Sequence, residues 1–385
     1  MLDLGMGMPS PDVFRTPALL IDKLHESIDA GDYNLYVPPE GDTACLAQIV
    51  EYENSLLPVG ARPYREENVM LVPGGIQGYS AIVSTLVAVG DQILTPVPSY
   101  FSLAARSELH TSTVSFPSDH EYNFRARDLK LAIANLDRLK LMWFCQPNNP
   151  TGRYIPADEL RQMIDLAADR QCHFVIDESC DNYRFTPYVP NPDNITSPQV
   201  IRIRTFSKDP NLAGYRLGYL LADPEVLDRL KRVVPVLYGN PTVMATRAVV
   251  ADLQMRNGHL RDDHDDYAKV TAENHTLMRA SRDYLYSALR EWDQVADVIL
   301  PDACYYMFAR FHFDGTGPEL FTRLLSEQLL NVVPGVVFGT PESEAWVRIC
   351  FARPIEALQD GLDRIHRVLV DHRAPQSVNQ CLQVG

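Results

Sequence analysis

From Val69 to Thr205 the chain repeats one rhythm: a short apolar run, a turn, then apolar residues at helical spacing. Val69-Met70-Leu71-Val72 is followed by Pro73-Gly74-Gly75 and an expected helix over 76–89. Further strands are expected at 92–95, 111–116, 140–145, 173–177 and 200–204, with helices at 126–135 and 157–170. Strands that pair in parallel need a crossover, usually a helix, so this alternation predicts an α/β fold with a mainly parallel sheet flanked by helices. In such sheets the loops beyond the carboxyl ends of the strands carry the site. Asn149-Pro150-Thr151-Gly152, Asp177-Glu178 and Ser207-Lys208 each fall just after an expected strand.

The flanking regions break this rhythm. Residues 1–10 are apolar and glycine-rich, and Gly5 and Gly7 would let backbone pass close to a ligand. Helices are expected at 16–30 and 43–56, separated by a proline-rich break that carries Tyr36. After Gly218 come a short apolar run, a helix at 224–233, the turn Tyr238-Gly239-Asn240-Pro241, and one helical tract from 243 to about 289. Strands within 297–312 and at 346–351, with helices at 317–329 and 355–370, have the pattern of a small α+β domain. The expected division is an N-terminal arm and small-domain segment (1–40), a large domain (41–270), a C-terminal small domain (271–372) and a tail (373–385).

Composition narrows the partners. The net charge is −15 with no basic block, which argues against nucleic acid or an anionic membrane as a partner. Seven scattered cysteines, without a C-x-x-C pair, read as reduced thiols of a cytoplasmic protein. No apolar run has the length of a membrane span, no secretory signal is evident, and no zinc-ligand spacing occurs.

The stretch 205–218, T-F-S-K-D-P-N-L-A-G-Y-R-L-G, carries the chemistry. Lys208 follows Thr205 and Ser207, and Arg216 lies eight positions later between Gly214 and Gly218. An amine condenses with an aldehyde, while hydroxyls and a forked cation hold a phosphate dianion. Pyridoxal phosphate (PLP) carries both groups. Gly75 and Ile76, at a helix start, offer backbone N–H groups to an anion. Tyr100, after Pro96-Val97-Pro98-Ser99, places a flat ring where it would cover an aromatic cofactor.

Over about residues 3–370, the ordered motifs N-P-T-G, D-E and S-K-x(7)-R-x-G resemble those of the class I/II aminotransferases, PLP enzymes of fold type I typified by aspartate and histidinol-phosphate aminotransferases. The resemblance implies that Lys208 forms the Schiff base and shuttles the proton, and that Asp177 pairs with the pyridine nitrogen. It gives Asn149 the ring 3′-oxygen. Gly75, Ile76, Thr205, Ser207 and Arg216 receive the phosphate, and Tyr100 stacks on the ring. Arg348, in W-V-R-I-C-F, would grip the substrate α-carboxylate beside Asn149 and Gly7. Tyr36 would reach the phosphate of a neighbouring subunit, implying a homodimer, and Asn240 resembles a second residue of that seam.

Three departures bear on the outcome. Cys180 stands where the family usually has a tyrosine donor to the 3′-oxygen, leaving a weak thiol donor unless Tyr183 or a neighbour replaces the hydroxyl. Asp209 either orients a cationic substrate or the lysine, or caps the turn before Pro210; Asp181 adds another acid. Pro235 occupies the place of an arginine that binds a distal carboxylate in aspartate-type enzymes, with Arg232 nearby. The expected activity is amino-group transfer between an amino acid and a 2-oxo acid. The alternative is a lyase, decarboxylase or bond-forming enzyme using the same cofactor, toward which Cys180 and Asp209 would push.

Overall fold

Strands rich in Val, Ile, Leu and Phe and apolar on both faces must be covered on both sides. The computed structural model, which describes residues 1–100, 112–119, 121–181, 183–186, 191–261 and 266–370, arranges them in that way. After a two-residue strand β1 (Leu2–Asp3), the strands β2 (Val69–Val72), β3 (Gln92–Val97), β4 (Ser112–Pro117), β5 (Leu139–Cys145), β6 (His173–Asp177), β7 (Val200–Thr205) and β8 (Gly218–Leu221) follow in sequence. Strands β2 to β8 form one seven-stranded sheet in the order β2-β8-β7-β6-β5-β3-β4. Only β8 runs against its neighbours, pairing antiparallel with both β2 and β7. The carboxyl ends of β2, β3, β5, β6 and β7 therefore open on the same edge.

The side-chain period of two sorts each strand between two cores. Trp143, Val175 and Ile203 face α3 (Gly75–Leu86) and α6 (Pro224–Leu237), packing with Ile82 and Leu230. Phe144, Phe174 and Ile176 face the other way, toward Leu129 of α4 (Ala126–Ala132) and Met163 of α5 (Ala157–Asp169). Near β2 and β8 that side is covered by Leu20 of α1 (Ala18–Asp29), Ile49 of α2 (Thr43–Ser55) and Val249 of α7 (Thr246–Arg256). Helix α2 starts where Asp42 accepts a hydrogen bond from Cys45 N at 3.0 Å, satisfying an end donor that the helix itself leaves open.

A second sheet holds β9 (Val295–Ile299), β10 (Tyr306–Phe311), β12 (Val333–Pro334) and β13 (Ala345–Cys350), all antiparallel in the order β12-β13-β10-β9. It packs with α8 (Asp266–Arg290), α9 (Gly317–Gln328) and α10 (Ile355–Val370) through Met278, Leu285, Leu324, Val347 and Ile365. The N-terminus joins this body, with β1 pairing in parallel with β11 (Leu330–Asn331).

The helical tract expected from 243 to 289 is interrupted. Helix α7 closes at Asn257-Gly258, where Gly258 takes φ +76 and its N–H returns to Met255 O at 3.2 Å, a left-handed stop that only glycine enters without strain. Helix α6 is longer than expected and carries Pro235 in its last turn. Helix α3 is shorter, because Val87 turns extended. The expected tail at 373–385 lies outside the described residues. No helix among the described residues is long and apolar enough to cross a membrane.

Candidate active site

The open strand ends and the second sheet enclose a cavity of about 350 Å³. Gly75 and Ile76 enter it after β2, Tyr100 after β3, Asn149 after β5, Asp177 and Cys180 at the end of β6, and Thr205, Ser207, Lys208 and Arg216 after β7. Gly7, from the N-terminal segment, and Arg348, from β13, close the opposite wall. The residues expected at the site from one chain thus meet in one place.

Lys208 is held from that wall. Its Nζ donates to Gly7 O at 2.6 Å and lies 5.6 Å from the centre of the Tyr305 ring. Tyr305 Oη donates to the same carbonyl at 3.0 Å. Burial pushes the lysine pKa down, against the opposing pull of the Cys180, Cys304 and Cys350 thiols. A depressed pKa leaves more neutral amine, the form that attacks a carbonyl.

Asp177 shifts the other way. Burial pushes its carboxyl up, although Ser179 opposes this by donating its N–H to Oδ1 at 3.0 Å. The Trp143 indole also lowers the carboxyl, yet its buried N–H reaches no hydrogen-bond partner at bonding geometry. A buried carboxylate without a paired cation is costly, so the site suits a cationic ring nitrogen there.

At the other end lies an anion cradle. Gly74 has φ +83, and a Cβ on it would meet Arg216 Nη2 at 2.6 Å. A Cβ on Gly75 would meet Ser179 Oγ at 2.7 Å. Both positions keep the start of α3 bare, where helix N–H groups lack internal acceptors and favour an anion. Arg216, itself left-handed at φ 52, is steered by Ala213 O at 3.0 Å and Pro73 O at 3.4 Å. Ser207 N donates to Thr205 Oγ1 at 3.3 Å, bringing two hydroxyl residues to the same turn. Amine, carboxylate and cradle together fit PLP.

Arg348 is fixed on several sides. Nη1 donates to Asn149 Oδ1 at 3.0 Å and Nη2 to Gly5 O at 2.9 Å. Its guanidinium carbon sits 4.0 Å from the centre of the Tyr306 ring and 5.1 Å from that of Phe338. The buried Nε has no partner, and Nη1 and Nη2, with one bond each, keep a second N–H apiece for an incoming carboxylate.

Other candidates lie elsewhere. Tyr36 is 94% exposed and Asn240 donates to Pro241 O at 2.7 Å; neither lines the cavity of its own chain. Asp209 pairs with Arg256 at 3.5 Å, and Asp181 with Arg184 and Arg204, so neither acid orients Lys208. Tyr183 Oη donates to Asn211 Oδ1 at 3.1 Å and is not a lining residue, so it does not stand in for the hydroxyl missing at 180. Pro235 and Arg232 are exposed on α6, away from the lining. Sequence reading missed Trp143, Cys145, Ser179 and Tyr306 as lining residues. Cys145 and Asp177 are register partners, so strand alternation alone could have found the thiol.

A mostly parallel sheet with one reversed strand, an antiparallel companion sheet, and a half-buried lysine and aspartate sharing one cavity at the strand ends define a PLP-dependent transferase of fold type I. The chain belongs to the aminotransferase class I and II family, whose model matches residues 1–365. It is 24% identical to an aspartate aminotransferase of Pyrococcus horikoshii, over 95% of this chain and 90% of that protein. It is 25% identical to an LL-diaminopimelate aminotransferase of Dehalococcoides mccartyi, over 94% and 90% respectively. Among solved structures it is similar to an aromatic aminotransferase from Pyrococcus horikoshii, with a TM-score of 0.83, 23% identity, and 96% of this chain and 95% of that one covered. An alanine aminotransferase from Pyrococcus furiosus matches with a TM-score of 0.84 at 23% identity, over 96% and 92%.

Proposed function

We propose that this PLP-dependent enzyme moves the amino group of an amino acid to a 2-oxo acid, with Lys208 as covalent anchor and proton carrier. The observation that carries the reading is the convergence of amine and carboxylate in one cavity, facing a guanidinium fixed on the opposite wall. PLP supplies the aldehyde and the electron sink that let the Cα–H bond of an amino acid break. Lys208 Nζ, deprotonated more readily because it is buried, takes the proton from the substrate Cα. Asp177 would hold positive charge at the ring nitrogen. Arg216, Thr205, Ser207 and the Gly75 and Ile76 N–H groups bind the phosphate, and Tyr100 covers the ring. Asn149 and Cys180, both lining the cavity, would meet the 3′-oxygen. Arg348 orients the substrate carboxylate through its fork, and Gly7 confines the substrate from the N-terminal side.

The reading includes a homodimer in which Tyr36, and with it Asn240, reaches the neighbouring site. It keeps the division at about residues 40 and 270, supported by hydrophobic clusters on each sheet. A cytoplasmic location agrees with free cysteines throughout the described residues. No observation favours the lyase alternative. The test is a single turnover of the holoenzyme with amino acid and no acceptor. One equivalent of 2-oxo acid per site without ammonia or carbon dioxide is expected, and continuous release of either gas-forming product would overturn transamination.

A further inference from the structure

We propose that Arg353 is a positioning residue for the substrate: it clamps the N-terminal segment that walls the cavity, and through it fixes the fork of Arg348. That segment runs beside β13 and the residues just after it. Leu4 O accepts from Cys350 N at 2.7 Å, and Ser10 N donates to Ala352 O at 3.0 Å. Between these two ties the chain belongs to no strand. Gly7 lines the cavity there, while Met6 and Met8 on either side of it are exposed. The stretch is a thin wall between the cavity and solvent.

Its carbonyls are divided between the two sides. Arg353 Nε donates to Asp3 O at 3.0 Å, Nη1 to Met8 O at 2.7 Å and Nη2 to Met6 O at 3.2 Å. Nη1 also donates at 2.8 Å to Ala352 O, the carbonyl that Ser10 N meets. On the cavity side, Gly5 O accepts from Arg348 Nη2 at 2.9 Å and Gly7 O from Tyr305 Oη at 3.0 Å. Carbonyls 6 and 8 thus go to Arg353, and carbonyls 5 and 7 to the site. Asp3 braces the start of the wall, its Oδ1 accepting from Gly5 N at 2.9 Å, Met6 N at 3.0 Å and Asn331 Nδ2 at 2.9 Å. A planar guanidinium with five donors in a fixed fork serves several carbonyls at once; a lysine ammonium, a point charge on a flexible stem, does not reproduce that geometry.

The clamp bears on substrate through Arg348. Two oxygens aim that guanidinium, Asn149 Oδ1 from the loop after β5 and Gly5 O from the wall. If Gly5 O drifts, one arm of the fork loses its stop and the carboxylate grip loosens. Arg353 is not among the residues that line the cavity, so PLP and the clamp occupy different places.

This role rests on Arg348 gripping the substrate carboxylate, as proposed above, and two readouts keep the two ideas apart. The first is hydrogen–deuterium exchange of the PLP-loaded protein, read by peptide mass. In Arg353→Gln the amides of residues 4–10 should exchange more than about tenfold faster, while peptides carrying Gly75, Asp177 and Lys208 keep their wild-type rates. The second is steady-state kinetics with whichever amino acid the wild type consumes, by whatever reaction. Arg353→Gln should raise KM about tenfold and move kcat less than about twofold, with PLP affinity unchanged, because the carboxylate is held alike before and during the reaction. Arg353→Lys keeps the charge and loses the fork. It should match Arg353→Gln in both readouts, and it carries the test alone if the glutamine variant does not fold.

A folded variant with wild-type exchange overturns the clamp. Faster exchange with a wild-type KM overturns the positioning role. A wild-type KM in Arg353→Lys alone would assign the effect to charge, and that too overturns the proposal. Release of ammonia or carbon dioxide by the wild type would instead overturn transamination, and both comparisons would still decide the role of Arg353.

Discussion

Lys208 and Asp177 share a cavity, and burial moves both toward their neutral forms: the ammonium down and the carboxyl up. For the lysine this sets a pH profile. Loading of cofactor-free enzyme with PLP, followed by absorbance, should speed up with pH and level off below the ordinary lysine value of about 10.4. A plateau reached only at that value would refute the role of burial. The aspartate bears on stability. Its folded pKa lies above the unfolded one, so the fold holds that proton more tightly, and stability falls as pH rises from 3.8 through the folded value. Asp177→Asn should therefore stabilise the cofactor-free protein at neutral pH, by about 1–3 kcal/mol, and shrink the stabilisation that PLP confers. Melting curves of both proteins with and without PLP check both halves. Gly7 is sensitive for a steric reason: a Cβ there would lie 2.2 Å from Tyr306 Oη, and that ring stacks on Arg348. Gly7→Ala should raise KM for the amino acid about tenfold while PLP affinity holds, because the carboxylate grip is displaced. Steady-state kinetics beside a PLP titration separates the two effects.

A buried charge ladder locks the elements behind the site. Arg202, on β7, forks onto Glu178 with contacts of 2.8 and 2.9 Å, and its Nη1 meets Glu53 of α2 at 2.9 Å. Arg204 reaches Glu53 at 3.3 Å, and Tyr219 of β8 donates to it at 2.5 Å. Glu178 follows Asp177 directly, so this ladder also sets where the site carboxylate stands. Removing one charge leaves two arginines buried without their shared partner, and Glu53→Gln should cost roughly 3–5 kcal/mol in denaturant unfolding. A loss under 1 kcal/mol would mean that water or Tyr219 takes over. The ladder also marks what the sequence conveys. V-I-R-I-R-T at 200–205 alternates as a half-exposed strand would, yet both arginines are buried, because periodicity gives the face and not what covers it. The strands β5, β6 and β7 were legible from their apolar runs, and Lys208, Asp177 and Asn149 from their places just after strand ends. Two-residue strands such as β1 and β11 carry no period to read. Tyr306 enters the site from a sheet about a hundred residues further along, a contact that local pattern does not encode.

For the molecule as a whole, the surface around Tyr36 bears on the proposed homodimer. Tyr33, Leu35 and Tyr36 are 65%, 55% and 94% exposed. Apolar side chains bared together in one short segment fit a surface meant for a partner. If Tyr36 serves the neighbour's phosphate, its chain and the chain carrying the working lysine are different molecules, and two inactive variants can repair each other. In a mixed dimer of Lys208→Ala and Tyr36→Ala, one site lacks both groups. The other takes Lys208 from the second subunit and Tyr36 from the first, and so is intact. Random reassortment of equal amounts of the two variants should pair unlike chains in about half of the dimers, giving about one-quarter of wild-type activity from parents that show little. Activity equal to the plain average of the two parents would place Tyr36 in its own chain's site or in none. Reassortment itself is followed by tagging one variant and recovering the mixed species, so failed exchange is not mistaken for failed complementation.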